Sequence, residues 1–98
     1  MTEPDEPVVE HDRSGRRYVL RIGGEEVGEL GYAVDGDRVV MEHTVVDTHR
    51  REKGLGSRLA RYALDDARSA GLRVVPQCPF VRAFVDEHDE YADLVDRR

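Results

Sequence analysis

Two periodicities divide the chain. Over Arg17–Ile22 apolar and polar positions alternate, placing Tyr18, Leu20 and Ile22 on one face and Arg17, Val19 and Arg21 on the other. Gly23-Gly24 then reads as a hairpin turn, since both residues tolerate positive φ. Residues 26–34 return as a strand interrupted by Gly28 and Gly31, and Asp35-Gly36-Asp37 turns the chain again. Arg38–Val46 is the longest β-branched stretch, and residues 8–13 predict a short strand closed by the turn at Ser14-Gly15. The pattern predicts an antiparallel meander of three or four strands.

Beyond residue 54 the period changes. Leu55, Leu59, Ala63, Ala67 and Ala70 recur at helical spacing, and Gly71 supplies the stop. Residues 72–75 form a short apolar strand bounded by Pro76. Cys78-Pro79 opens a second amphipathic helix with Phe80, Phe84 and His88 four residues apart and Val81 and Val85 beside them. Proline suits the first helical position, where its missing N–H is no loss. The Phe80/Phe84 pair reads as helix core, and residues 91–95 as a further helical turn. The order predicts an α+β (α/β layered) domain: an antiparallel meander followed by helix, strand and helix. Residues 1–7 read as a flexible acidic tail and 8–98 as a single domain.

The chain has 98 residues, enough for one modest core and too few for a full doubly wound nucleotide-binding fold. Its formal charge of −6 argues against general nucleic-acid binding. No apolar stretch approaches a membrane span, and one cysteine, Cys78, fits a reducing, cytoplasmic setting. Scattered histidines without short ligand spacing give no metal site. The charge is uneven, however. Arg50, Arg51, Lys53, Arg58 and Arg61 against Glu52 make a local +4, while residues 1–12 and 86–96 hold five and six acids with no Lys or Arg. A solvated helix face and an anion site both answer to that run.

The loop Arg51-Glu52-Lys53-Gly54-Leu55-Gly56-Ser57, between the longest strand and the long helix, favours the anion site. Glycines let the backbone turn tightly and bring N–H groups towards an oxyanion, and the positive end of the helix points at the same place. It is neither a Walker loop nor a dinucleotide fingerprint, because Leu59 stands where the third glycine would be.

With these residues in place, the segment Val39 to Val46, then Arg51-x-x-Gly54-x-Gly56, then a helix carrying Leu59 and Ala63, resembles the acyl-CoA-binding segment of the GCN5-related N-acetyltransferases. His43-Thr44-x-Val46 before the loop, and Pro76-x-Cys78-Pro79-Phe80-Val81 through His88-x-Glu90-Tyr91 after it, are similar to the small acetyltransferase-like proteins of the YjdJ type. The resemblance spans about residues 8–95 and implies a minimal form of that fold. It implies acetyl-CoA as co-substrate, with an unidentified amine as acceptor. Carried onto this chain, Thr44, Val45 and Val46 would pair with the pantetheine arm, and Arg51, Lys53, Gly54, Leu55, Gly56 and Ser57 would hold the pyrophosphate. Residues 72–78 would form the opposing wall.

Acyl transfer to an amine needs a base, an oxyanion donor and an acid for the leaving thiolate. A backbone N–H near Val45 or Val46 is the donor that the resemblance implies. Cys78 and His43 are the catalytic candidates. A thiol at a helix N-terminus is a better acid or nucleophile, whereas a lone cysteine is also an ordinary buried hydrophobe. His43 reads as a base or as a hydrogen-bonded strand histidine. Glu42 is expected on a solvent face, and His88 and Tyr91 are expected to fix the C-terminal turn. Larger relatives carry a Tyr in the last helix, but residues 79–88 contain none. A non-catalytic coenzyme A-binding or protein-interaction module is therefore the alternative.

Overall fold

The structure, a computed structural model, describes residues 6–50 and 53–96. The expected tail lies largely outside the described residues. One five-stranded sheet runs in chain order: β1 (Val8–Asp12), β2 (Arg17–Ile22), β3 (Glu25–Asp35), β4 (Arg38–Val46) and β5 (Arg73–Pro76). The first four strands are antiparallel, as the alternation and turns predict. β5 lies parallel to β4, because helix α1 (Leu55–Ser69) carries the chain back across the sheet between them. Helix α2 (Pro79–Glu87) and a 3-10 helix (Asp89–Leu94) follow. Val95 then bridges to Val74.

One face of the sheet is covered and makes the core. Tyr18, Leu20 and Ile22 from β2, Val27 and Leu30 from β3 and Val39 and Met41 from β4 are buried there. α1 supplies Leu55, Leu59, Ala60, Ala63, Leu64 and Ala67. Fully burying Leu59 and Leu64 contributes roughly 1.5–3 kcal/mol each. Ala70, expected on that stripe, is exposed, because the helix stops at Ser69 and Gly71 reverses the chain at φ +74°. α2 buries Val81, Phe84 and Val85, whereas Phe80 stays 40% exposed rather than entering the core.

Two register shifts decide which side chains face where. Arg21 and Leu20 pair with Glu26 and Gly28, so Val27 is an extra residue in β3. Met41 and His43 pair with Tyr32 and Gly31, so Glu42 is an extra residue in β4. An extra residue reverses the facing of everything after it. Val39 and Met41 accordingly point into the core before Glu42, and beyond it Val46 packs against the core while His43 and Val45 are exposed.

Candidate functional site

The sheet opens where β5 leaves β4. Their pairing covers only Arg38 to Met41 against Arg73 to Pro76, and the Cys78 N–H donates to Met41 O at 2.8 Å as a last rung. Pro79 then starts α2, and, among the described residues, 42–46 of β4 keep β3 on one side with no strand on the other. At the apex of this gap Thr44 Oγ1 lies 3.4 Å from Cys78 Sγ, with Cys78 buried and reduced. Two of the expected residues, from opposite walls, therefore meet.

The loop follows directly. Asp47 N–H donates to Val27 O at 2.8 Å and Asp47 Oδ1 accepts from His49 N–H at 2.9 Å, which holds the Asp47 carboxyl below its ordinary range. Arg51 and Glu52 lie outside the described residues. Gly54 caps α1 in the left-handed conformation (φ +75°, ψ +18°), and Arg58 N–H closes the first helical turn on Gly54 O. Gly54 brings no side chain to cap this N-terminus, and the first turn of α1 carries no acid. Among the described residues nothing lies within 4 Å of where a Gly54 side chain would start. Lys53 and Arg58 are exposed beside it. The N–H groups of a first helical turn, the positive helix end and two cations suit a polyanion.

Gly56 has a different reason to be glycine. A methyl group there would sit 2.9 Å from Phe80 Cζ, so the Phe80 ring lies on the first turn of α1. This is why Phe80 is not core. It joins the mouth of the loop to the helix that begins at Cys78. The expected +4 run also divides. Arg61 turns away from the loop to Glu90 Oε2 and the Tyr91 hydroxyl, both at 3.4 Å, and lies over the Phe84 ring. His88 Nδ1 bonds Phe84 O at 2.7 Å and the Tyr91 hydroxyl donates to Asp65 at 2.7 Å, so both hold the C-terminal segment as expected.

On the uncovered face of the sheet, His43 lies flat over Gly31, where a side chain would come 2.6 Å from His43 Nε2. Nε2 is 3.0 Å from Glu29 Oε2, and Arg17 Nη1 donates to Glu29 Oε1 and Glu26 Oε2 at 2.8 Å each. The Arg17 bond, then the His43 bond, hold the Glu29 carboxyl below the ordinary range. Next to them a groove of about 290 Å³ has Val27, Gly28 and Val45 among its walls. Sequence reasoning missed Glu29, Arg17 and Phe80. The breaks at Gly28 and Gly31 were visible, but only the β3–β4 register shows what occupies the space.

The match to known proteins agrees with this geometry. Residues 17–94 match the family model described as GCN5-related N-acetyl-transferase. The chain belongs to that family. It is 35% identical over 82 residues to Protein NATD1 of Bos taurus, covering 82% of this chain and 73% of that protein, and 33% identical to the Homo sapiens protein over the same length. In fold it is similar to a GCN5-like protein from Staphylococcus aureus solved by NMR, with TM-score 0.70, 19% identity, and 99% of this chain and 93% of that chain covered. It is similar also to the ribosomal-protein-S18-alanine N-acetyltransferase of Escherichia coli, with TM-score 0.60, 18% identity, and 74% and 51% covered.

Proposed function

We propose that the protein is an acetyl-CoA-dependent N-acetyltransferase of minimal size, acting on an amine acceptor in the cytoplasm. The observation that carries this reading is the gap between residues 42–46 of β4 and Cys78, lying next to the Gly54-led start of α1. A coenzyme with a pyrophosphate at one end and a thioester at the other suits these two features together. Lys53, Gly54, Leu55, Gly56 and Ser57 would hold the phosphates by N–H groups and charge, with Arg51 from the adjoining loop. Thr44, Val45 and Val46 would line the pantetheine arm with unpaired strand groups, and a Val45 or Val46 N–H would face the oxyanion. The bound thioester supplies an activated acyl carbon.

His43 is the base in this reading and the Cys78 thiol the acid for the departing thiolate. In the variant route the Cys78 thiolate attacks first. The acyl carbon–sulfur bond to coenzyme A breaks, an acetyl-cysteine forms, and the amine then displaces it. The free, buried thiol at the apex supports a reducing, cytoplasmic setting. The second reading, coenzyme A binding without turnover, is favoured by the lack of any hydroxyl in residues 79–88. A mass-spectrometric screen of amines and peptides with acetyl-CoA separates the two. The transferase reading expects an acceptor-dependent gain of acetyl, and a brief acetyl-CoA pulse without acceptor expects an adduct on Cys78 only for the two-step route. Saturable binding with no acetylated product across the panel would favour the binding module.

A further inference from the structure

We infer that Glu29, held by Arg17, is a positioning residue that fixes the tautomer of His43 for the amine-deprotonation step; this rests on the transferase reading above. Gly31 opposes His43 directly in the β3–β4 pairing, and its missing side chain leaves the place the imidazole fills, 2.6 Å from His43 Nε2. The extra residue Glu42 accompanies the turn of His43 onto the uncovered face while Thr44, next in the chain, reaches Cys78. The ring and the apex of the gap thus belong to adjacent residues of one strand, on its two opposite faces.

Hydrogen bonding then sets the proton. Glu29 Oε2 at 3.0 Å can only accept, so Nε2 carries the proton and Nδ1 keeps its lone pair. Arg17 Nη1, 2.8 Å from Glu29 Oε1, keeps Glu29 ionised and orients it. Arg17 is itself fixed by Glu26 at 2.8 Å and Asp12 at 3.3 Å. The charged groups facing the ring from β3 and, behind it, β2 and β1 are therefore Glu29, Arg17, Glu26 and Asp12, with Glu42 adjacent on its own strand. None of these contacts serves the core, which lies on the other face.

In the transfer step the acceptor nitrogen bonds to the acyl carbon and the carbon–sulfur bond breaks, its electron pair leaving on the coenzyme thiolate. The nitrogen's proton passes to His43 Nδ1. A ring with its proton on Nδ1 could not accept it at that atom, and its Nε2 faces Glu29 instead. Glu29 acts only through His43.

The test uses the full chain labelled with 15N, read by long-range proton–nitrogen spectra of the neutral His43 ring. The expected result is Nε2–H in the wild type and in Glu29→Gln, whose amide oxygen still accepts. Glu29→Ala should give a mixture of tautomers. With acetyl-CoA and n-butylamine as probe acceptor, Glu29→Ala should lower kcat about tenfold or more at unchanged acetyl-CoA affinity, and Glu29→Gln should recover part of it. An unchanged Nε2–H tautomer in Glu29→Ala overturns the proposal whatever the rates do. Wild-type protein that does not bind acetyl-CoA overturns the transferase reading, while the tautomer spectra still decide the role of Glu29. Gly31→Ala, which should push the ring off its seat and scramble the tautomer with both carboxylates intact, is the second variant.

Discussion

At Gly56 two local preferences oppose each other, and their sizes give a sign that can be measured. Alanine is favoured over glycine within a helix by about 0.8–1 kcal/mol. Its methyl group would lie 2.9 Å from Phe80 Cζ, and overpacking costs roughly 1–3 kcal/mol, less where a ring can swing away. Gly56→Ala should therefore destabilise the wild type slightly, by up to about 1 kcal/mol, but stabilise a Phe80→Ala background by about as much. Urea unfolding of the four proteins checks this; equal effects in both backgrounds would mean the ring does not rest on Gly56. Legibility at this scale was partial. The glycines of the loop stood out as an expected anion cradle, and Gly54 caps α1 in the left-handed conformation. Gly56 carries a second constraint that no spacing rule contains, because the ring that meets it belongs to a helix 24 positions later.

Among the elements, every predicted strand and helix is present within a residue or two, because alternation, turn glycines and Pro79 are local signals. The extra residue at Glu42 is not local. Arg38–Val46 reads as one uninterrupted strand, and only pairing with β3 exposes the shift. That shift places the site, since Thr44 and Val46 share the core side only because Glu42 reverses the strand's facing. Deleting Glu42 should remove the bulge and join Met41 to His43 opposite the same partners, Tyr32 and Gly31, leaving Thr44 and Val46 on the core side. The expected change in stability is within about 1 kcal/mol. A urea midpoint near that of the wild type, with the Thr44–Cys78 proximity kept in proton spectra, would bear this out; loss of that proximity would show that the facing depends on Glu42 itself.

For the molecule as a whole, the edge strand β1 is tied to α1 through one histidine. His11 Nε2 is 2.7 Å from the Tyr32 hydroxyl, Nδ1 is 3.1 Å from Asp66 Oδ2, and the ring stacks on Tyr18 at 4.3 Å. The Tyr18 hydroxyl donates to the same Asp66 oxygen at 2.8 Å. Burial lowers the His11 pKa below its ordinary 6.5, outweighing the pull of Asp66. The unfolded chain then takes up the proton first, so stability falls as pH drops below about 6.5. Glu29, Asp12 and Asp93, held below their ordinary values by hydrogen bonds, add losses at lower pH, as they protonate. His11→Gln should flatten the urea midpoint between pH 7 and pH 5; an identical slope in wild type and variant would place the titration elsewhere.

Charge at this scale was legible as a contrast, −6 overall with a basic run at the loop, but not as a partition. Arg61 belongs to the acidic C-terminal segment through Glu90 and Tyr91, as Arg68 does through Asp93. Lys53 and Arg58 stay exposed beside the start of α1. If the start of α1 holds the pyrophosphate of coenzyme A, as proposed, calorimetric titration of the wild type and Gly54→Asp with acetyl-CoA will show it. Saturable wild-type binding is expected with Kd below about 1 mM, and none for Gly54→Asp, which adds negative charge at a left-handed backbone position. Wild-type protein silent at ~1 mM acetyl-CoA, or a Gly54→Asp variant that binds as well as the wild type, would contradict it.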